Sequence, residues 1–199
     1  MKIISIAGGS GSGKSTLSYR LVDTYPKKVE MLTLDDYQLE DDGRNKLPTL
    51  KGMINWDHPD VIRWEKLLKD IEILRSGKPV TIRTWSDRSN PDYFKHKKMI
   101  PRTIYPKEVL IIEGYLSLWN EKLRDLYSKK YYLDIDQKTS QERRDKFADP
   151  VYDKEILTLM HIKYVEPTKK FADVLLNVSK MSSDKVFDEV DQDFRKEVK

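Results

Sequence analysis

No cysteine occurs among the 199 residues, which excludes a disulfide framework, thiolate metal sites and a cysteine nucleophile. No apolar run approaches the roughly 20 residues a membrane span needs. With 35% charged residues and a mean hydropathy of −0.69, the composition reads as that of a soluble protein. The chain opens at once on an apolar stretch with no room for a signal peptide, so a cytoplasmic location is expected. A basic arm is also missing. The 37 Lys and Arg are interspersed with 33 Asp and Glu, for a formal charge of +4. Basic residues gather only in short pairs such as Lys129-Lys130 and Lys169-Lys170. No nucleic-acid or membrane partner is expected, and a mildly basic balance suits polyphosphate ligands. Internal repeats and low-complexity linkers are lacking as well, and residues 1–199 read as one α/β domain.

What is present begins at the N-terminus. Gly8-Gly9-Ser10-Gly11-Ser12-Gly13-Lys14-Ser15 fits the phosphate-binding pattern G-x-x-x-x-G-K-[ST]. Ahead of it Lys2–Ala7 reads as a buried strand, and from Ser15 onward apolar residues recur at helical spacing. Glycines let successive N–H groups turn inward as a nest for phosphate oxygens. The following helix adds free N–H groups and the positive end of its dipole. Gly8 to Thr16 are thus the expected phosphate contacts. Lys14 is placed to reach the β- and γ-phosphates, and the Ser15 hydroxyl to hold Mg²⁺.

Short apolar runs alternate with helical patterns along the rest of the chain. Strands are expected at 2–7, 29–34, 108–112, 130–134 and 173–177. Helices are expected at 14–25, 60–76, 119–127, 139–147, 153–164 and 183–196. Runs such as Val109-Leu110-Ile111-Ile112 suit a parallel sheet covered on both faces. The expected fold is therefore a three-layer α/β/α P-loop NTPase with a five-stranded parallel sheet and a short helical lid at about 143–166. Residues 37–59 and 84–107 are long and polar, as functional loops often are. Tyr127, Tyr131 and Tyr132 read equally well as an exposed interface and as core, which leaves oligomeric state open.

Acidic residues close three of the strands. Glu113 follows Val109–Ile112 and fits a carboxylate on or near Mg²⁺. Asp35 follows Met31–Leu34 and is the best candidate for activating an acceptor hydroxyl, although Asp36 stands one position away. Asp134 ends the third. Farther along, Asp60 looks like the N-cap of the helix that follows. Asp57 is left to accept hydrogen bonds from sugar hydroxyls, and His58 before a proline is read as structural. Arg143 and Arg144 are suited to clamping a transferring phosphate.

Taken in order, these segments resemble the uridine kinase family of P-loop kinases, which includes phosphoribulokinase-like and nicotinamide riboside kinase-like branches. Leu34-Asp35-Asp36-Tyr37 is similar to its Q-D-[SD]-F segment, Asn55-Trp56-Asp57-His58-Pro59-Asp60 to N-F-D-H-P-D, and Ile111-Ile112-Glu113-Gly114 to I-x-E-G. Leu133-Asp134-Ile135-Asp136 with Arg143-Arg144 matches V-D-T-D and the lid arginines, and Pro167–Val174 is similar to P-[ST]-K-[RK]-Y-A-D-V. The resemblance implies ATP and Mg²⁺ as cofactors and a nucleoside-like small molecule as acceptor. It implies Asp35 as the base (and near the metal), Asp57 on the ribose hydroxyls, and Ser15 and Glu113 on Mg²⁺. Lys14, Arg143 and Arg144 would act on the phosphates, with Tyr37 and Trp85 beside the acceptor. The chain departs from the family pattern at four points. Phe147 stands where a third lid arginine is usual, a G-R-D motif is missing, and the lid is roughly a dozen residues short. The base-binding segment reads Thr84-Trp85-Ser86-Asp87-Arg88-Ser89-Asn90, without its histidine. These departures keep two alternatives open: a kinase for a sugar or vitamin precursor, and an ATP-binding regulatory protein without kinase activity.

Overall fold

The computed structural model describes residues 1–199 apart from 42, 44, 45, 87, 97, 145–148 and 199. Asp87 of the base segment and Phe147 of the lid thus lie outside the described residues.

Five strands form one parallel sheet in the order β2-β7-β1-β8-β9. They are β1 (Lys2–Gly8), β2 (Val29–Thr33), β7 (Val109–Glu113), β8 (Lys129–Asp134) and β9 (Val174–Asn177). All five lie within one or two residues of their expected bounds. Because side chains alternate along a strand, β1 feeds two cores. Ile3 and Ala7 join Leu67 and Ile71 of helix α2 (Trp64–Arg75) on one face. Ile4 and Ile6 join Leu17 and Leu21 of α1 (Lys14–Thr24), with Val190 and Phe194 of the C-terminal helix Ser183–Phe194, on the other. Each such fully buried aliphatic side chain contributes about 1.5–3 kcal/mol. This is the expected three-layer architecture. Tyr127, Tyr131 and Tyr132 belong to these cores, at 8%, 1% and 1% exposure, so the interface reading of those rings is corrected: neighbouring apolar side chains already cover them.

The polar stretches carry structure that hydrophobic period did not reveal. Residues 37–59 contain a two-residue ladder, β3 (Thr49–Leu50) with β4 (Met53–Ile54). An antiparallel pair, β5 (Val80–Thr84) with β6 (Ile100–Ile104), brackets residues 85–99. Helix α2 starts at Trp64 rather than at 60. Pro59–Val61 form a separate 3₁₀ turn whose first N–H groups are met by His58 rather than by Asp60: Nδ1 of His58 accepts the N–H of Asp60 at 3.2 Å. The Asp60 cap is corrected accordingly, and Asp60 is exposed.

One helical arm departs from α geometry. Between Pro150 and Val165 two five-residue segments, Asp153–Leu157 and His161–Val165, are π-helical, with i→i+5 hydrogen bonds. Among the described residues no helix is long and apolar enough to cross a membrane.

Candidate active site

In an open parallel sheet the crevice beyond the carboxyl ends of the strands is the natural ligand site. Here a cleft of about 920 Å³ opens there, lined by the P-loop, Asp35, Asp57, Trp85, Glu113, Arg143 and Arg144. Residues expected from six separate stretches of sequence therefore meet at one opening.

The loop between β1 and α1 is built on positive φ angles, 75° at Gly11 and 87° at Gly13. Gly13 occupies the N-cap of α1, and no side chain caps that helix. The first N–H groups of α1 consequently lack a protein side chain to accept them, which leaves an anion-binding end facing the cleft. Lys14 is buried and donates to the Gly9 carbonyl at 2.9 Å. Burial lowers its pKa, opposed by the negative charges of Glu113 and Asp35.

Register places Glu113 opposite both Ile6 and Thr33, at the centre of the sheet edge. Its Oε2 accepts from the Thr33 hydroxyl at 2.9 Å and its Oε1 from the Ser15 hydroxyl at 3.3 Å. These are hard oxygen donors on adjacent elements. They suit Mg²⁺, which takes one or two protein oxygens and fills its remaining positions with phosphate and water.

Asp35 and Asp36, neighbours in sequence, face different ways. Asp35 lines the cleft. Burial, then the charge of Glu113, hold its pKa up at about 7 against the pull of Lys14. Asp36 is turned inward, where Oδ1 accepts the backbone N–H of Trp85 at 3.2 Å, and burial raises it to about 6. The choice between the two carboxylates thus falls on Asp35 by geometry, while Asp36 anchors the segment carrying Trp85.

Tyr37 does not reach the cleft, and its expected place beside the acceptor is corrected. It is 1% exposed, and its hydroxyl donates to Asp70 of α2 at 2.8 Å. The 3₁₀ turn Leu34–Tyr37 rotates successive side chains by about a third of a turn, so Asp35 and Tyr37 point apart. His58 is structural, as read: Nε2 meets the Tyr164 hydroxyl at 3.0 Å. Asp134 pairs with Lys169 at 2.7 Å.

Arg143 and Arg144 end helix α5, which follows α3 (Tyr93–His96) and α4 (Glu121–Arg124) and spans Gln137–Arg144. Arg143 donates to the carbonyls of Gly11 and Val178, both at 3.1 Å. Arg144 grips Asp153 through Nε at 2.9 Å and Nη2 at 2.5 Å, and its Nη1 donates to Ser10 Oγ.

Several cleft residues had no motif to announce them. Tyr152, Leu157, His161 and Val165 all line the opening, at spacings of five, four and four. Leu157, His161 and Val165, four residues apart, would share a face of an α-helix as well, whereas Tyr152, five before Leu157, joins them only because the first π segment widens the turn. Met181, Ser183 and Val186 also line the cleft. Their signal was only positional, since the segment leaving a parallel strand faces the crevice.

The sequence model described as "Phosphoribulokinase / Uridine kinase family" matches residues 3–186. A uridine kinase of Macrococcus caseolyticus is 35% identical over 185 residues, covering 87% of this chain and 86% of that protein. A uridine kinase of Chlamydia pneumoniae is 30% identical over 192 residues, covering 89% and 82%. Among solved structures, a possible uridine kinase from Bacillus stearothermophilus superposes with a TM-score of 0.58 at 20% identity, over 88% of each chain. A shikimate kinase from Acinetobacter baumannii gives 0.53 at 12% identity, over 98% and 94%. Both structures share the P-loop kinase fold. The chain belongs to the phosphoribulokinase/uridine kinase family and is a phosphotransferase acting on a hydroxyl acceptor.

The correction at Tyr37 carries a measurable expectation. Tyr37→Phe removes the buried bond to Asp70 and should lower stability by about 1–2 kcal/mol in urea unfolding, with the acceptor KM unchanged. A several-fold rise in acceptor KM at undiminished stability would restore Tyr37 to the site.

Proposed function

We propose that this member of the family transfers the γ-phosphoryl group of ATP to the primary hydroxyl of a nucleoside or closely similar ribosyl compound. The observation that carries the reading is the meeting of Asp35, Asp57 and Trp85 with the P-loop in one cleft. The P-loop N–H groups and Lys14 hold the β- and γ-phosphates. Asp35 accepts the proton of the attacking hydroxyl, which needs a carboxylate within hydrogen-bond reach of the oxygen. Asp57 accepts from the vicinal diol of the ribose, and Trp85 offers an indole face to the base. Arg143 and Arg144 neutralise charge as the phosphoryl group passes, since transfer of this kind is mostly positioning and charge stabilisation. Ser15 and Glu113 would hold Mg²⁺, which when bound neutralises charge on the phosphate oxygens. The arm 150–165, together with Arg143 and Arg144, serves as the lid that excludes water.

Two features bear on the acceptor. The relatives are named uridine kinases over most of their length, which favours a nucleoside. The base segment, with Trp85 and no histidine before Asn90, favours a base read by stacking more than by a ring-nitrogen hydrogen bond.

Transfer of labelled phosphate from ATP to a panel of nucleosides, free sugars and vitamin precursors tests the reading. Ribonucleosides should accept, and Asp35→Asn should lose at least about a hundredfold in turnover while binding ATP at least as tightly, since it removes a negative charge beside Lys14. Labelling of sugars alone would sink the nucleoside assignment, and near-wild-type turnover in Asp35→Asn would remove that carboxylate from the mechanism.

The pH profile follows from the same group. Asp35 takes up a proton only when ionised, and its pKa is held up at about 7. Hence kcat/KM should climb as pH rises through about 7 and level off above it. A profile flat from pH 5.5 to 8.5 would contradict this assignment.

A further inference from the structure

Tyr152 and Asp153 stand side by side at the start of the helical arm, and the steps above use neither. The Tyr152 hydroxyl accepts the N–H of Trp56 at 2.9 Å and donates to Asp57 Oδ2 at 2.8 Å. The next residue, Asp153, takes two parallel bonds from Arg144, whose remaining nitrogen reaches Ser10. Both members of the Asp153–Arg144 pair are 13% exposed. Two parallel charge-assisted bonds fix the plane of a guanidinium as well as its position. Where Asp153 stands therefore dictates where Arg144 stands, and one peptide link ties Asp153 to Tyr152. An unbroken line of contacts runs from Asp57, through Tyr152, Asp153 and Arg144, to the P-loop.

We propose that Tyr152 is a positioning residue coupling the acceptor pocket to the phosphate cradle: its hydroxyl on Asp57 sets Asp153, and Asp153 sets Arg144 over Ser10. The names of the two pockets rest on the kinase reading above, whereas the line of contacts does not. A hydroxyl that touches only Trp56 and Asp57 thereby governs affinity for a nucleotide bound at the P-loop. Because linkage is reciprocal, an acceptor that competes for Asp57 changes nucleotide affinity, and the nucleotide changes acceptor affinity by the same factor.

The test needs no acceptor, so it can be read even if the nucleoside assignment fails in the panel. The dissociation constant of a non-hydrolysable ATP analogue with Mg²⁺ is measured by calorimetry on the full chain. Tyr152→Phe removes one hydroxyl and no charge, and should weaken binding about three- to tenfold. In an Arg144→Ala background the same change should leave the constant within about twofold, because the loss is carried by Arg144. Asp57→Ala supplies a second arm should Tyr152→Phe fold poorly. Removing a carboxylate beside Lys14 tightens phosphate binding on charge alone, so weaker binding that disappears in the Arg144→Ala background marks the coupling. Unchanged affinity in Tyr152→Phe, an equal loss in both backgrounds, or an Asp57→Ala effect that is the same with and without Arg144 would each overturn the proposal.

Discussion

Lys14 sits buried at the first turn of α1 among three carboxylates, Glu113, Asp35 and Asp57, each of which pulls its pKa upward while burial pushes it down. A lone ammonium in such a place would be too costly to keep charged. Three carboxylates around one lysine have the opposite difficulty, and the pKa of Asp35 rises to about 7, through burial first and the charge of Glu113 second. The cluster is tolerable because it stands at the open end of the sheet, where a helix N-terminus and two arginines supply further positive potential. The parallel strand order, the register that centres Glu113 and the turn that aims Asp35 outward all serve to assemble this one group of charges.

The loop that holds Lys14 also has to accept close neighbours. A Cβ at Gly8, where φ is 141°, would lie 2.3 Å from the carbonyl oxygen of Leu133, so β1 can approach β8 only with glycine there. A Cβ at Gly9 would come within 2.8 Å of the His161 ring, which belongs to the arm. The P-loop glycine pattern thus does two jobs here. It frees N–H groups for phosphate, and it lets a π-helical arm rest directly on the loop. Helix α5 packs on the same loop at Gly11, where a Cβ would lie 3.1 Å from the Ser140 carbonyl oxygen. From there the Ser140 hydroxyl donates to the Ser10 carbonyl at 2.8 Å, and Arg144 reaches the Ser10 hydroxyl.

How much was legible in the sequence depends on what kind of physics set each feature. Strands β1, β2 and β7 are apolar runs buried on both faces, and burial marks them; β8 carries a buried apolar centre and the edge strand β9 is exposed at alternate residues. The P-loop is legible because backbone geometry demands glycine at fixed spacing. Asp35 and Glu113 are legible because a strand end in a parallel sheet fixes where the next side chain stands. Tyr37 was misplaced for the opposite reason: a 3₁₀ turn, invisible in hydrophobic period, rotated it into the core against Asp70. Asp60 failed as a cap because it lies inside the 3₁₀ turn Pro59–Val61, which His58 caps, and α2 starts only at Trp64. Tyr152 escaped notice because α periodicity turns it away from Leu157, His161 and Val165, and the wider π turn at Asp153–Leu157 brings it back to their face.

The same distinction explains why the donor side of the cleft is fixed more firmly than the acceptor side. On the proposed reading phosphate is recognised by main-chain N–H groups and one lysine, whose positions follow from the loop itself. The acceptor, on that reading, meets side chains brought together from four places: Asp35 after β2, Asp57 in the loop before Pro59, Trp85 after β5, and the arm. Each is secured by a tertiary contact, as Trp85 is by Asp36 and Asp57 by Tyr152. On the proposed reading, selectivity for the acceptor resides in these supports as much as in the contacting groups. A substitution at Asp36 would act on the base-stacking wall without touching a ligand, through the placement of Trp85 alone.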